Sequence, residues 1–498
     1  MNHNGGFCRA IKRLWDLAVV SALYLVYYLF KPTTHYFSDL RPQAVIIQMG
    51  APILLGMALT KRLKHGKREL ALLLAYVGWA LGTRLLFADP VLSENLLLYH
   101  ALLLMPLLFW AGAQMEQGTA ARLTAGIAWL TVAFYTVISI LLVYTACTRT
   151  VLTNRYGYWL GYVDPWQWRA YTLSFHPNIM GEQLILAFCL CMYLFFSSKN
   201  WAKGICVIAA VLMAAAVALT ASRAAQTFLS LSFALTVGLW AVQRLKEKKQ
   251  ALRIAALLLC VLIITPLSYR IYEPTRQLCW NIYQKTMTME STDEEIEADQ
   301  NTKTVLRQYS VEEIKRTIET NQIIDTTGRI MTETISVNLD AEEEIPYHAD
   351  RRGYLQSGRK EIFWSAIESL KRDPKRLLIG SSMDELMSIS HELIDEQASH
   401  FHNMVLQIIN LYGIPGLGLA IVFYVLVLIE CWRLAFVGKH RISEILLTLP
   451  IIVLPGFNML EVGLFTDMSV WAAWFFFCCG QVVRLRKTDS LCKEIAGK

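Results

Sequence analysis

Twelve apolar runs constrain the fold of this chain more than any other feature of its sequence. Each run can cross the hydrocarbon core of a bilayer as a helix, which takes about 20 residues. The chain is 498 residues long and 55% hydrophobic, a composition too apolar for an ordinary soluble protein. The sequence therefore predicts an all-α, polytopic membrane protein with about twelve transmembrane helices. The runs are Leu14–Phe30, Ala44–Thr60, Glu69–Phe87, Asn95–Ala113, Leu123–Tyr144, Asn178–Phe196, Gly204–Thr220, Ala224–Val242, Ala251–Tyr269, Asn403–Trp432, Ile442–Leu460 and Leu464–Val483.

Lysine and arginine are concentrated in alternate connections between these predicted helices. The basic connections are Lys61–Arg68, Lys199–Lys203, Arg244–Arg253, Arg433–Arg441 and Arg484–Lys487. Positive side chains next to membrane helices favour the cytoplasmic side, so both termini are predicted to be cytoplasmic. The net charge of +7 then reflects membrane topology, and we expect no nucleic-acid partner.

One outside connection, between the ninth and tenth helices, is far longer than the others. It divides the chain into transmembrane helices 1–9 (1–269), an extracytoplasmic and mostly helical loop domain (270–402), and helices 10–12 with a cytoplasmic tail (403–498). The acidic runs Glu290–Asp299 and Glu342–Glu344 are expected to be solvated, and residues Asn301–Asn321 have helical spacing. Eleven cysteines, mostly inside apolar runs, form no disulfide framework or metal-binding pair, and neither a metal nor a cofactor is expected.

The second half of this segment contains a more specific helical pattern. After Ser357, five apolar residues fall on one face of a predicted helix that ends before Pro374. They are Ile362, Phe363, Ala366, Ile367 and Leu370. Arg359 lies in the first turn, where the helix dipole repels a positive side chain but attracts an anion. This misfit favours an anionic ligand at Arg359.

Several polar residues lie at the outer ends of the predicted helices. Ser222 and Arg223 make up most of a very short connection, which would fix the Arg223 guanidinium at the outer membrane face. The alternative is that the Arg223 side chain only extends towards water. Arg84 is expected to extend towards water in this way. Glu182 lies at membrane depth, where a carboxylate is costly and usually functional.

Two histidines and an asparagine lie where the tenth helix begins. A histidine side chain can take or release a proton near neutral pH, so His402 is a candidate for chemistry. The alternative is that His402 and Asn403 only cap the helix, since asparagine is a good N-cap. His400 is expected to be a bystander, and Gly413 with Pro415 predicts a kink or close approach.

The predicted outside connection between the fifth and sixth helices (146–177) is rich in aromatic residues. With Arg169 they form either an interfacial aromatic belt or a surface on which sugar rings stack. The connection ends in His176, Pro177 and Asn178, with proline at the predicted start of the sixth helix.

Five short motifs follow one another in a recognisable order. They are His176-Pro177-Asn178 with Gly181; Ser222-Arg223; Ser357-Gly358-Arg359 followed by Ile362-Phe363-Trp364; Leu378-Ile379-Gly380; and His402-Asn403 with Gln407 and Gly413. With the long outside loop, they make residues 170–430 resemble the O-antigen ligase and O-antigen polymerase superfamily of bacterial membrane glycosyltransferases. One departure is Ser381 after Gly380, because the family more often has a second glycine one residue further on.

The resemblance implies glycan transfer from an undecaprenyl diphosphate carrier to a sugar hydroxyl, at the outer face of the bacterial cytoplasmic membrane. It implies that Arg223 and Arg359 bind the diphosphate and that His402 is essential. We expect His402 to be the general base of an inverting, metal-independent reaction. Possible substrate contacts are His176, Asn178, His400, Asn403 and Arg169. The expected partners are the lipid-linked glycan donor, the glycan acceptor, the bilayer and other polysaccharide assembly proteins.

Other functions remain open at this stage. A polymerase for a surface or capsular polysaccharide is favoured, but a ligase attaching the finished glycan to a different acceptor shares the same donor and chemistry. A twelve-helix transporter would have internal repeats and charges near the bilayer midplane; no repeat is evident, and Glu182 is the feature most in its favour. A membrane scaffold displaying the acidic loop would give Arg223, Arg359 and His402 no reason to converge.

Overall fold

The computed structural model describes 21–29, 65–86, 92–148, 151–153, 159–164, 169–171, 177–290, 359–394, 401–438, 440–460, 464–465 and 469–496. This part of the chain is predominantly α-helical, as predicted. Its helices are α1 (21–29), α2 (Lys67–Leu86), α3 (Leu92–Gln114), α4 (Gln117–Thr148), α5 (Pro177–Ser197), α6 (Asn200–Leu219), α7 (Arg223–Arg244), α8 (Gln250–Tyr269), α9 (Tyr272–Glu290), α10 (Arg359–Arg372), α11 (Arg376–Ile379), α12 (Met383–Ile394), α13 (Met404–Phe436), α14 (Ile442–Leu446), α15 (Thr448–Asn458) and α16 (Val470–Ala496).

Seven helical stretches in the described part of the chain are long and apolar enough to cross a membrane. They are Lys67–Leu86, Gln117–Thr148, Asn178–Ser197, Asn200–Leu219, Arg223–Arg244, Gln250–Cys279 and Met404–Phe436. Two shorter apolar helical stretches are Leu102–Gln114 and Ile442–Asn458. The predicted helical class is confirmed for the described residues, and these candidate spans agree with a membrane protein by their length and composition. Of the first two predicted spans, only 21–29 is described, and Ala44–Thr60 lies outside the described residues.

A small antiparallel sheet is an addition to the predicted architecture. Its strands β1 (Val151–Thr153), β2 (Trp159–Asp164) and β3 (Arg169–Tyr171) pair in the order β1-β2-β3. They lie in the aromatic outside connection, whose secondary structure the sequence pattern did not reveal. The register is irregular between Tyr162 and Asp164. Strands this short give too few residues for a period-two pattern to be recognised.

The contacts divide the chain into two compact units. One comprises 1–278 and 358–498, and the other 279–357. In the second unit only 279–290, the end of α9, is described, so the acidic residues beyond Glu290 and the predicted helix Asn301–Asn321 lie outside the described residues. The second half of the predicted loop domain, from Gly358 onward, belongs to the unit that contains the membrane helices.

The candidate spans differ greatly in how far other helices enclose them. Helix α5 is the most enclosed of these spans, whereas α8 with the start of α9 has almost no fully buried residues. On α8, Leu262 is 71% exposed and Leu267 is 62% exposed. Such apolar side chains would be unfavourable in water but match the hydrocarbon of a bilayer. The arrangement therefore puts α5 inside the helix bundle and α8 at its edge.

Glycines allow helices α3 and α16 to approach each other closely. A Cβ atom at Gly112 would overlap the Phe477 carbonyl oxygen, and one at Gly480 would overlap the Phe109 carbonyl oxygen. Small residues at membrane helix interfaces permit such backbone approach. The Phe109 ring also packs edge-on against Phe423 of α13, with 5.7 Å between centroids, so this pair of helices supports α13.

The C-terminal end of α13 is capped by a buried arginine from α8. The Arg253 guanidinium donates from Nη1 to the Phe436 carbonyl at 2.7 Å and from Nη2 to the Ala435 carbonyl at 3.0 Å. Its Nε donates to the Val242 carbonyl of α7 at 3.3 Å. A cation at this end complements the helix dipole and satisfies carbonyls that have no partner within the helix. One side chain thus joins α7, α8 and α13.

Candidate functional site

His402 lies in a bend immediately before α13, with a backbone that L-residues rarely adopt. Its φ is 46°, in the left-handed region where histidine is enriched but still uncommon. The Phe401 amide donates to Oε1 of Gln407 at 3.0 Å. Asn403 is the N-cap, and its Oδ1 accepts a hydrogen bond from the Leu406 amide at 3.0 Å. The capping prediction is confirmed for Asn403, while His402 itself lies outside the helix.

Two glycines allow the backbone of the first part of α13 to pack directly against the turn after α11. Gly413 interrupts the helix with φ 67° and ψ −175°, and a Cβ there would overlap the Leu378 carbonyl oxygen. Gly380 has φ 76°, and a Cβ there would overlap the carbonyl of Leu411. Both positions need glycine for conformation and for space. The predicted kink at Gly413 and the turn at Gly380 therefore form the two sides of one backbone contact.

Ser381, the residue after Gly380, is fully buried at this contact. Its amide donates to the Asn410 carbonyl oxygen of α13 at 2.8 Å. Asn410 is also fully buried, and its Nδ2 donates to the Leu406 carbonyl at 2.9 Å. Within the described residues, Ser381 Oγ and Asn410 Oδ1 have no hydrogen-bond partner. The departure from the family pattern is thus accommodated without loss of the turn.

Arg223 is the first residue of α7 and follows a tight, strongly hydrogen-bonded connection. Ser222 caps the helix by accepting from the Ala225 amide at 3.3 Å. Ala221 before it has φ 49°, and the Ser222 amide donates to Thr220 Oγ1 at 3.3 Å. These two bonds hold the backbone next to Arg223, whereas a fixed position of its guanidinium stays a prediction. Its side chain is neither fully buried nor fully exposed.

The start of α5 packs directly on the start of α7. A Cβ at Gly181 would overlap the Ala225 side chain, and the Ser222 side chain lies 3.9 Å from that position. Asn178, in the first turn of α5, is buried with 6% exposure. Gly181 of the first motif and the Ser222-Arg223 motif are therefore neighbours in space, although about 40 residues separate them in the sequence.

Glu182, the next residue of α5, binds an asparagine from the end of α15. Asn458 Nδ2 donates to Glu182 Oε1 at 2.5 Å and to the Leu454 carbonyl at 2.9 Å. Asn458 Oδ1 accepts from the Leu464 amide at 3.2 Å. Asn458 is fully buried and Glu182 is 2% exposed. The carboxylate therefore has a specific partner that the sequence did not reveal.

Asn403 connects the His402 bend to the same end of α15. Its Nδ2 donates to the Met459 carbonyl oxygen at 2.9 Å, and Met459 is the residue after Asn458. A continuous set of contacts thus runs from the bend at His402 through Met459 and Asn458 to Glu182. Asn403 and Met459 are 56 positions apart and Asn458 and Glu182 are 276 positions apart, so no local pattern could have predicted the connection.

Arg359 is the first residue of α10, as predicted, but the buried face of that helix is shifted from the predicted one. Ile362 and Ala366 are buried, whereas Ile367 is 43% exposed. Ser365 and Ser369 are buried instead. Ser365 Oγ donates a hydrogen bond to the Ile362 carbonyl oxygen. Ser369 Oγ accepts a hydrogen bond from Arg376 Nη1. Helix α10 contacts α12 and α13. The side chain of Arg359 lies outside the described residues.

Two ion pairs link the elements around α10. Arg376 of α11 binds Glu385 of α12, and Arg372 donates to both carboxylate oxygens of Glu392 at 2.7 and 3.1 Å. The hydrogen bond from Arg372 holds the pKa of the Glu392 carboxyl below its usual value. These pairs join α10 and α11 to α12.

Arg84 is buried, and the prediction that it extends towards water is wrong. It is 4% exposed, and its guanidinium carbon lies 5.7 Å above the Tyr412 ring of α13. On the same helix, Trp79 Nε1 donates to the Tyr412 carbonyl at 2.7 Å. The cation is held by an aromatic face. The sequence does not reveal the burial of Arg84, because its aromatic partner Tyr412 is more than 300 residues away.

The structure therefore brings four of the five motifs into two direct contacts: Gly181 with the Ser222-Arg223 turn, and the Gly380 turn with Gly413 of α13. Two of the predicted substrate contacts, His176 and His400, lie outside the described residues. A third, Arg169, is described only as backbone in β3. In the residues that the structure describes, no group of three or more His, Cys, Asp or Glu side chains is arranged to hold a metal ion. A guanidinium at the start of a capped helix and an imidazole on a left-handed bend are groups suited to anion binding and proton transfer.

Comparison of the sequence with models of known protein families gives no match, and neither does comparison with curated proteins.

Proposed function

We propose that the protein is a membrane glycosyltransferase of the O-antigen polymerase and ligase type. In this proposal it has twelve spans, cytoplasmic termini and an extracytoplasmic loop, and acts at the outer face of the bacterial cytoplasmic membrane. The observation that supports it best is the interlocked contact of Gly380 and Gly413. Both glycines belong to motifs that suggested the family, and each is required by the backbone of the other segment. Motifs that matched by chance would have no reason to fit together in this way.

The chemistry of the proposed reaction suits these residues. The acceptor hydroxyl oxygen bonds to the anomeric carbon while the bond from that carbon to the diphosphate oxygen breaks, with inversion. The electron pair leaves with the diphosphate, and His402 takes the hydroxyl proton. Arg223 and Arg359 bind the diphosphate through charge-assisted hydrogen bonds. Loss of one such donor typically costs about 10²–10³ in rate.

Polymerase activity is the favoured form of the proposal, and ligase activity is the alternative. The two share donor and chemistry and differ in acceptor. The discriminating experiment deletes the gene and measures the length of the lipid-linked glycan. Single repeat units on the lipid indicate a polymerase, whereas long unattached chains indicate a ligase. A normal glycan profile after deletion would contradict both.

A transporter has less support. Glu182 was the feature most in favour of that function, but it lies in the second turn of α5 rather than at mid-helix, and it binds Asn458. Measured counterflow of a labelled solute in proteoliposomes that contain the protein would favour transport.

A further inference from the structure

We infer that Glu182 and Asn458 are positioning residues that fix the His402 bend relative to the Arg223 turn; the inference rests on the proposed function. The buried pair lies between these two segments. On one side, Met459 accepts from Asn403, the neighbour of His402. On the other, Gly181 packs on Ala225, two residues after Arg223.

Two hydrogen bonds of the bend are local to α13. The bonds from Phe401 to Gln407 and from Leu406 to Asn403 both stay within the first turn of α13. They preserve the left-handed conformation of His402, but they move with the helix. The bond from Asn403 to Met459 reaches another element. This bond locates the bend relative to the end of α15, in addition to the contact between the Gly380 turn and Gly413 further along α13.

The end of α15 is in turn located by Asn458. Its amide uses Oδ1 for the Leu464 amide and Nδ2 for both Leu454 and Glu182. The bond to Glu182 joins a neutral donor to a carboxylate, a class that is shorter and about twice as strong as a bond between neutral groups. A carboxylate enclosed in a membrane bundle is costly. An apolar contact would join α5 to α15 without that cost, but it would not fix direction and distance.

Precise location matters for the proposed reaction. A general base must lie within hydrogen-bond distance of the acceptor hydroxyl, and a displacement of about 1 Å can lower a rate by about 10²-fold. A change in the Glu182–Asn458 pair should therefore lower kcat. It should leave KM for the lipid-linked donor nearly unchanged, because the arginines that bind the diphosphate remain.

The test exchanges the two polar groups. Asn458→Asp places a carboxylate against Glu182, and we expect kcat to fall at least about 10-fold with KM within about twofold. The double variant Glu182→Gln with Asn458→Asp restores an amide-to-carboxylate hydrogen bond in the opposite direction, and we expect it to recover most of the lost kcat. Donor turnover by purified protein in proteoliposomes measures both constants, and all rates are normalised to folded protein.

A surface variant covers the case in which Asn458→Asp does not fold. Asn403→Ser keeps an N-cap acceptor for the Leu406 amide but is too short to donate to Met459. We expect an unchanged melting temperature and a kcat lowered about 10-fold. The matched control is Gln481→Leu, which removes another buried amide bond, from Gln481 Nε2 to Thr124 Oγ1 at 2.7 Å, away from these segments. It should keep the wild-type kcat.

Three results would overturn the inference: wild-type kcat in Asn403→Ser, no recovery in a folded double variant, or an equal loss in Gln481→Leu. The result for His402→Ala separates this inference from the proposed function. If transfer survives in His402→Ala, the proposed mechanism fails. If transfer is lost there but Asn403→Ser and Asn458→Asp keep full kcat, only the positioning role fails.

Discussion

Residues with unusual backbone angles indicate the proposed functional region more clearly than the positions of charged residues do. Among the described residues, the non-glycine residues with positive φ are Ala221, His402 and Phe465. Ala221 precedes the Arg223 turn, His402 is the proposed base, and the Phe465 carbonyl accepts from Tyr76 of α2 at 2.5 Å. Such conformations cost of order 1–3 kcal/mol and cluster at functional sites.

Gly413 gives a prediction at this scale. Replacing it with alanine adds a Cβ where the Leu378 carbonyl lies and imposes a side chain on a left-handed backbone. We expect Gly413→Ala to lower the melting temperature of the detergent-solubilised protein by several degrees and to abolish transfer. Gly418→Ala in the same helix is the control, because no atom lies within 4 Å of its Cβ position. Equal stability of the two variants would contradict the interlock.

The sequence predicted the residue types at the site better than their surroundings. The N-cap role of Asn403 and the need for Gly413 follow from local rules of helix capping and kinking. The partners of Glu182 and Arg84 do not, because each comes from a segment hundreds of residues away. Burial of Arg84 also depends on the Tyr412 ring, and a helix-end arginine without such a ring would extend towards water.

At the scale of elements, α13 is fixed at both ends by other helices. The Gly380 turn and α15 contact its start, and Arg253 of α8 caps its end. Sequence periodicity located the helix, but it did not show these supports. It also misplaced the buried face of α10, because Ser365 and Ser369 are buried with local hydrogen-bond partners that a hydrophobicity pattern does not count.

The cap by Arg253 can be tested by truncation. Arg253→Ala leaves the Ala435 and Phe436 carbonyls without their donor, and we expect a loss of about 1–3 kcal/mol in stability. Arg270→Ala removes an exposed arginine from the other end of α8 and is the control. Thermal unfolding in detergent measures both. If Arg253→Ala melts at the same temperature as Arg270→Ala, the cap is not a significant support.

The ion pair between α10 and α12 predicts a pH dependence. Arg372 lowers the pKa of Glu392 in the folded state. Its contribution to stability is therefore present above the unfolded carboxyl pKa, about 4.3, and is lost as pH falls through the lower folded value. Both groups are largely exposed, so the effect should be small and weakened by salt. The hydrogen-exchange protection factors of α12, which are corrected for the intrinsic pH dependence of amide exchange, should fall below about pH 4 in the wild type but change little there in Glu392→Gln.

For the whole molecule, the distribution of basic residues predicts the topology. Green fluorescent protein fused to the C-terminus should fluoresce, because that terminus is expected in the cytoplasm. Alkaline phosphatase inserted between residues 300 and 350 should be active, because that segment is expected outside. The reversed pattern would put the Arg223 and His402 segments on the wrong face for a lipid-linked donor and would contradict the proposed function.

The central claim is that His402 takes the acceptor proton in glycan transfer from a polyprenyl diphosphate. The most direct test compares His402→Ala with the wild type in proteoliposomes loaded with lipid-linked glycan, at equal amounts of folded protein. His391→Ala is the matched control, since it removes an exposed histidine from α12. We predict that His402→Ala lowers the transfer rate by about 10²–10⁴ while His391→Ala does not change it. A wild-type rate in His402→Ala would contradict the account.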